Sequence, residues 1–172
     1  MAKATHYSDQ KNWSNNYLTD PKLIKALGRF DLDPACPPKM PWRTARHMWT
    51  EKEDGLKREW RGRVWLNPPY RNVMEWTEKL AAHEPGGCAL LNGRSTETRA
   101  TQHLLQNCAG LYLFLGRLTF WRTDGKPFPQ RWFPSLLIGM KQRDAAEMVE
   151  LPGRGFPGTY LVGPRYRDED SS

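Results

Sequence analysis

The sequence predicts an α/β fold built on a compact, mostly parallel sheet, and three stretches predict it. Arg63-Val64-Trp65-Leu66 reads as a short buried strand. Pro68 ends that strand, because proline fixes its own φ and pushes Asn67 towards an extended conformation. Val73, Trp76 and Leu80 then recur at helical spacing, Pro85-Gly86-Gly87 stops the helix, and Cys88-Ala89-Leu90-Leu91 is a second apolar strand. A strand–helix–strand unit of this kind folds as a parallel crossover. Asn92 to Arg99 is a polar turn at the same sheet edge as Asn67, leading into a helix through about Cys108 and a strand at Leu111–Leu115.

Taken in order, residues 1–12 are polar, and Trp13 to Pro21 is a loop with helix-start signals. Thr19 or Asp20 suits a cap and Pro21 the first helical position; Leu23, Ile24 and Leu27 make one apolar face, and Gly28 is a stop. Arg29 to Cys36 alternates as a strand would and ends on Asp33, whose carboxylate suits a cofactor's ribose or amino group, or equally a solvated Asp-Pro turn. From Pro37 to Trp60 there is room for at most one short helix or strand, with Trp42, Trp49 and Trp60 as packing anchors and Asp54-Gly55 as a turn. His83 reads as a favourable helix C-terminal residue. The stretch 121–134 interleaves Trp121, Arg122, Lys126, Phe128, Arg131, Trp132 and Phe133, a mixture that suits either backbone contacts and stacking on a nucleic acid or a hairpin loop with aromatic anchors. Ser135–Met140 is expected as the final strand, followed by a Gly/Pro-rich wrapping tail that turns acidic at Asp168-Glu169-Asp170. No repeat or linker divides the chain, so one domain is expected over 1–172, with its core at about 13–140 and its tail at about 150–172.

Composition agrees with one domain: 172 residues, eight tryptophans and a formal net charge of +7. A basic fold suits a nucleic-acid partner, although many soluble proteins are basic without one. The three cysteines, Cys36, Cys88 and Cys108, form no Cys-x-x-Cys pair, and the four histidines show no zinc spacing. No metal is expected, and the thiols read as the reduced thiols of a cytoplasm. No signal peptide, membrane-spanning run or lipidation motif stands out.

The chemistry is expected at Asn67-Pro68-Pro69-Tyr70. Ligands of open α/β sheets sit at strand carboxyl ends. The prolines hold Asn67 and the Pro68 backbone carbonyl rigidly, so the turn presents two acceptors, the Asn67 side-chain oxygen and that carbonyl, with the Tyr70 ring beside them. An aromatic amine such as adenine N6 is a poor nucleophile because its lone pair is delocalised into the ring. Two acceptors that take both amine hydrogens turn that lone pair outward towards an electrophile and stabilise the charge developing on nitrogen. Tyr70 suits stacking on the ring. A proline turn closing a strand, with no chemistry, is the plain alternative.

Assembled, the stretches resemble the small phage-type DNA N6-adenine methyltransferases, the Dam family of phages and prophages. The stretches that carry the resemblance are Phe30 to Ala35, Thr50 to Leu56 with Trp60 and Gly62, Asn67 to Tyr70 with Trp76, Arg94 with Thr98, and Gly116-Arg117-Leu118 with Phe120. The resemblance covers roughly residues 13–140 and implies a Rossmann-like, S-adenosylmethionine-dependent methyltransferase fold with an antiparallel C-terminal hairpin. It implies that Asn67, Pro68 and Tyr70 hold a flipped adenine while Pro69 shapes the turn. It places Asp33, Pro34 and Ala35 at the S-adenosylmethionine pocket, with Asp54 and Thr19 as further candidates. Arg94, Arg99, Arg117, Arg122 and Arg131 are the expected contacts to double-stranded DNA, and GATC is the expected target. The expected setting is a bacterial host's cytoplasm, the gene being carried by phage or prophage. Two departures stand out: Ala35-Cys36-Pro37-Pro38 replaces the Gly-rich turn of larger methyltransferases, and Thr19-Asp20-Pro21 stands where relatives run Thr-Pro. The short interval from Asp33 to Asn67 leaves out a unit of larger relatives' sheets. Other acceptors (cytosine N4, RNA, a protein glutamine), a DNA-binding protein of the same fold without transfer, and a structural phage protein are the competing readings.

Overall fold

The computed structural model describes residues 17–128 and 134–166. Its elements are β1 (Leu18–Thr19), α1 (Pro21–Ala26), β2 (Leu32–Asp33), β3 (His47–Met48), β4 (Val64–Leu66), α2 (Val73–Ala82), β5 (Gly87–Asn92), α3 (Arg99–Asn107), β6 (Gly110–Phe114), β7 (Phe120–Trp121), β8 (Ser135–Gly139), α4 (Gln142–Val149) and β9 (Gly158–Val162). Side-chain alternation along the central strands decides the layers. Val64 and Leu66 face one core and Trp65 the other; Ala89 and Leu91 oppose Cys88 and Leu90 in the same way, and Leu136 and Ile138 oppose Leu137. The first core is closed by Trp76 and Leu80 of α2 and Leu104 of α3, the second by Leu23 and Ile24 of α1 and Met148 of α4. The sheet therefore carries helices on both faces, and its central strands are apolar on both sides.

The seven-stranded sheet has the order β3-β2-β4-β5-β8-β6-β9. β3, β2, β4 and β5 are mutually parallel. β8 lies antiparallel between β5 and β6, so β6 points the same way as β5. The expected α2 crossover joins neighbouring strands β4 and β5, and α3 carries the chain from β5 past the position of β8 to β6. Neither β2 to β3 nor β3 to β4 is joined through a helix, in line with the short interval read from the sequence. Asp20, not Thr19, caps α1, its side chain accepting from Lys22 N at 2.8 Å.

Three expectations are corrected. Only Leu32–Asp33 of the alternating Arg29–Cys36 stretch is strand. Ser135–Gly139 is not the last strand, because α4 follows it and β9 then pairs antiparallel with β6 at the sheet edge. The charges in Gln142–Glu150 obscured the buried Ala145, Met148 and Leu151, and the glycines and prolines around Thr159-Tyr160-Leu161-Val162 made a β-prone run look like loop. The segment before Pro21 also forms structure: β1 pairs antiparallel with β7, Leu18 opposite Trp121 and Thr19 opposite Phe120. Trp13, Arg131, Trp132, Phe133 and the acidic Asp168–Asp170 lie outside the described residues. Among the described residues no helix is long and apolar enough to cross a membrane, and no group of three or more His, Cys, Asp or Glu could hold a metal ion.

Candidate active site

From β2 the chain moves outward to β3 on one side, and β4 and β5 lie on the other. That reversal of order opens a crevice beyond the carboxyl ends of β2 and β4, where an open α/β sheet binds its ligands. A cleft of about 400 Å³ lies there. The loops that follow four parallel strands line it: Pro34 to Pro38 after β2, Thr50, Glu51 and Asp54 to Leu56 after β3, Asn67 to Asn72 after β4 and Asn92 at the end of β5. Tyr17, Phe120 and Phe128 supply an aromatic wall, the Tyr17 ring lying 4.9 Å from Phe128 and edge-on to Phe120 at 6.0 Å.

Asn67 is held by its amide nitrogen, which donates to the Tyr17 carbonyl at 2.9 Å and to Thr19 Oγ1 at 3.4 Å. A carbonyl oxygen can only accept, so the amide orientation is fixed by chemistry: nitrogen towards Tyr17, Oδ1 away from it. Among the described residues nothing donates to that oxygen. Pro68 is buried in the turn, Pro69 is exposed, and Tyr70 is 59% exposed at the cleft. The four residues read from the sequence as one unit thus all line one cavity.

The residues expected around a cofactor divide. Pro34, Ala35 and Asp54 line the cleft, whereas Asp33 and Thr19 stand behind it, 4% and 2% exposed. The Asp33 carboxylate accepts from Ala35 N at 3.2 Å and from the Thr44 hydroxyl, so it braces the Pro34-Ala35 turn from below. Burial pushes this carboxyl up to about 6 against the opposing pull of those hydrogen bonds. A second tie, Cys36 N to the Trp49 carbonyl at 2.8 Å, holds the same loop without glycine; from Pro34 to Lys39 only Lys39 has a positive φ, 60°. Gly55 is required for a different reason. A Cβ there would meet the Pro34 carbonyl oxygen at 2.1 Å, so only glycine lets the loop after β3 lie this close to the loop after β2.

Asp54 is committed to Lys57 at 2.8 Å, and that partner lowers its pKa. Glu51, passed over in the sequence, lines the cleft exposed and makes no ion pair among the described residues. The Cys36 thiol also lines the cleft, and burial, followed by the charges of Asp33 and Glu53, pushes it up to about 12. Arg94, Arg99, Arg117 and Arg122 are all exposed, and none lines the cleft; Arg122 is paired with Asp124 at 3.3 Å. Arg131 lies outside the described residues. Arg71, one residue past the turn, does line the cleft. Tyr17, Glu51, Arg71 and Phe120 were missed as lining residues. The available signal was position: Glu51 and Arg71 follow parallel strands whose carboxyl ends share an edge.

The sequence model described as DNA N-6-adenine-methyltransferase (Dam) matches residues 4–127. The match stops before β8, α4 and β9, although β8 lies inside the sheet. No curated protein and no solved structure matches the chain.

Proposed function

The chain belongs to the Dam family of DNA N-6-adenine-methyltransferases, and from that premise we propose that it methylates adenine N6 in duplex DNA with S-adenosylmethionine as donor, on a Rossmann-like methyltransferase fold. Membership implies DNA methyltransferase activity; the acceptor atom, cofactor and residue roles are our reading. The observation that carries it is the fixed Asn67 amide, which leaves Oδ1 as an open acceptor in a rigid turn at the switch point of the sheet.

The Asn67 oxygen and the Pro68 carbonyl accept the two hydrogens of the amine and localise its lone pair on nitrogen. Tyr70 stacks on the base, and Tyr17, Phe120 and Phe128 exclude water around it. The base leaves its stack to reach the cleft, at a cost of a few kcal/mol. The exposed Arg94, Arg99, Arg117 and Arg122 hold phosphates, as Arg131 does in this reading.

S-adenosylmethionine fits the donor set of the other half of the cleft. Pro34, Ala35 and Leu56 offer apolar walls, and the Glu51 carboxylate is open to hydroxyl or ammonium donors. When bound, the cofactor supplies an electrophilic methyl group on a sulfonium. Cys36, the nearby nucleophile that would compete for such a group, is kept as a thiol by its burial.

The test is incubation with methyl-labelled S-adenosylmethionine and unmethylated duplex DNA, with and without GATC, followed by nucleoside analysis. Label in N6-methyladenine is expected. Label in another nucleoside moves the acceptor and keeps the reaction class. No transfer together with no calorimetric binding of the cofactor overturns the proposal in favour of a DNA-binding protein.

A further inference from the structure

Asn67 is usable as an acceptor only if its amide cannot turn over. A carboxamide rotated half a turn presents two donors to an amine that itself donates, and the interaction becomes repulsive. The turn that carries Asn67 does not prevent this rotation, because prolines at 68 and 69 fix backbone and not the asparagine side chain. The constraint comes from β1 and the residue before it. The amide nitrogen donates to Tyr17 O at 2.9 Å and, at a longer 3.4 Å, to Thr19 Oγ1 two residues on. One acceptor is a backbone carbonyl and the other a side-chain hydroxyl, and both lie within reach of the same amide nitrogen. β1 is in turn fixed by β7, Thr19 opposite Phe120.

Resting on the reading of Asn67 given above, we infer that Thr19 is a positioning residue that holds the Asn67 carboxamide with its oxygen towards the acceptor base. It acts through Asn67 and does not touch the cofactor. Thr19 is 2% exposed and is not among the cleft-lining residues, while its hydroxyl is within reach of the Asn67 nitrogen. This differs from the role that the resemblance assigns to Thr19, a place in the cofactor pocket, and the two roles separate in experiment. The aromatic wall has the same anchor: the Phe120 residue that pairs with Thr19 also lines the cleft, so β1 and β7 set the amide and the wall together.

Thr19→Val keeps shape and strand propensity and removes the hydroxyl. It is expected to slow single-turnover methylation of duplex DNA about tenfold while calorimetric affinity for S-adenosylmethionine stays at the wild-type value. Thr19→Ser restores the hydroxyl and with it most of the rate. Equal loss of cofactor affinity and rate in Thr19→Val, or no rescue by serine, overturns the inference. Should Thr19→Val not fold, Thr19→Ala is read by the same two measurements, since it keeps the backbone pairing with Phe120. Asn67→Ala separates this inference from the reading beneath it. Wild-type transfer by Asn67→Ala overturns the proposed site. An inactive Asn67→Ala beside a fully active Thr19→Val overturns the positioning role alone.

Discussion

The two edges of the sheet are built on opposite terms. At the amino-terminal edge, Arg63 and Asp144 form a buried pair at 2.6 Å, their side chains 3% and 2% exposed. Arg63 also donates to the carbonyls of Leu27 and Arg29, reaches Cys88 Sγ, and lies over the Phe30 ring at 4.3 Å. Asp144 accepts from Gly87 N at 2.9 Å and from Lys141 N at 3.1 Å. Strand ends from across the fold are tied into one closed network. At the carboxyl-terminal edge, 400 Å³ is left open and the acceptor oxygen of Asn67 is unmatched. A polar group left without a partner costs stability in proportion to its burial, so the edge with open groups gains less from its polar contacts than the edge where Arg63 and Asp144 are paired.

The first way to break this comparison is Asp144→Ala. It strands the Arg63 charge and is expected to cost about 3–5 kcal/mol in urea unfolding. Cofactor affinity of the remaining folded protein should be unchanged; a loss well under that range would mean that the amino edge does not hold the frame. Next comes Asn67→Ala, expected to lower transfer by about 10²–10³ with its urea midpoint near wild type and cofactor binding kept. A falling midpoint would make Asn67 a structural residue and erase the contrast.

Asp33 sits on the site side yet carries a buried charge, and it sharpens the comparison through pH. Its carboxyl is raised from 3.8 to about 6 on folding, so the folded state holds the proton more tightly than the unfolded one. Below about pH 4 both states are protonated and Asp33 carries no penalty. Between about pH 4 and 6 stability falls as pH rises, and above 6 the full penalty stands, at most about 3 kcal/mol. Asp33→Asn should therefore gain on wild type across that window in pH-dependent unfolding, its amide still able to meet Ala35 N and Thr44. A constant difference from pH 4 to 7 would refute the shift. The smallest effect is expected from Arg99→Ala, a few-fold weaker DNA binding with the salt slope reduced by about 1 and no change in stability; an unaltered slope would remove Arg99 from the phosphate contacts.

The sequence made the parallel half of the fold legible because its strands are apolar runs closed by strong breakers: Pro68 after Leu66, and Pro85-Gly86-Gly87 before Cys88. The Asn67–Tyr70 unit was legible for the same reason. Contacts between distant segments were not. Nothing local in Arg63 or Asp144 announces a partner across the fold, and Asp144 hides among the other charges of α4. Asp33 was read correctly as standing at a strand end, but its direction, into the loop beneath the cleft, depends on Thr44. Tyr17 was not singled out, and Thr19, expected at the cofactor pocket, stood out as a partner of Asn67 only once the fold brought the two together.

The β1–β7 pairing also sets an order of assembly. Leu18 meets Trp121 across most of the chain, and contacts so distant in sequence close late, because loop-closure entropy opposes them until the intervening chain is organised. On a ribosome, Tyr17 and Thr19 emerge long before their brace exists, while β4, α2 and β5 are close neighbours in sequence and can pair early. The Asn67 amide therefore depends for its orientation on that long-range pairing, and a chain ending before β7 is expected to hold the turn without its alignment. The orientation of one side chain in the cleft is thus set by a contact between distant segments and not by the turn that carries it.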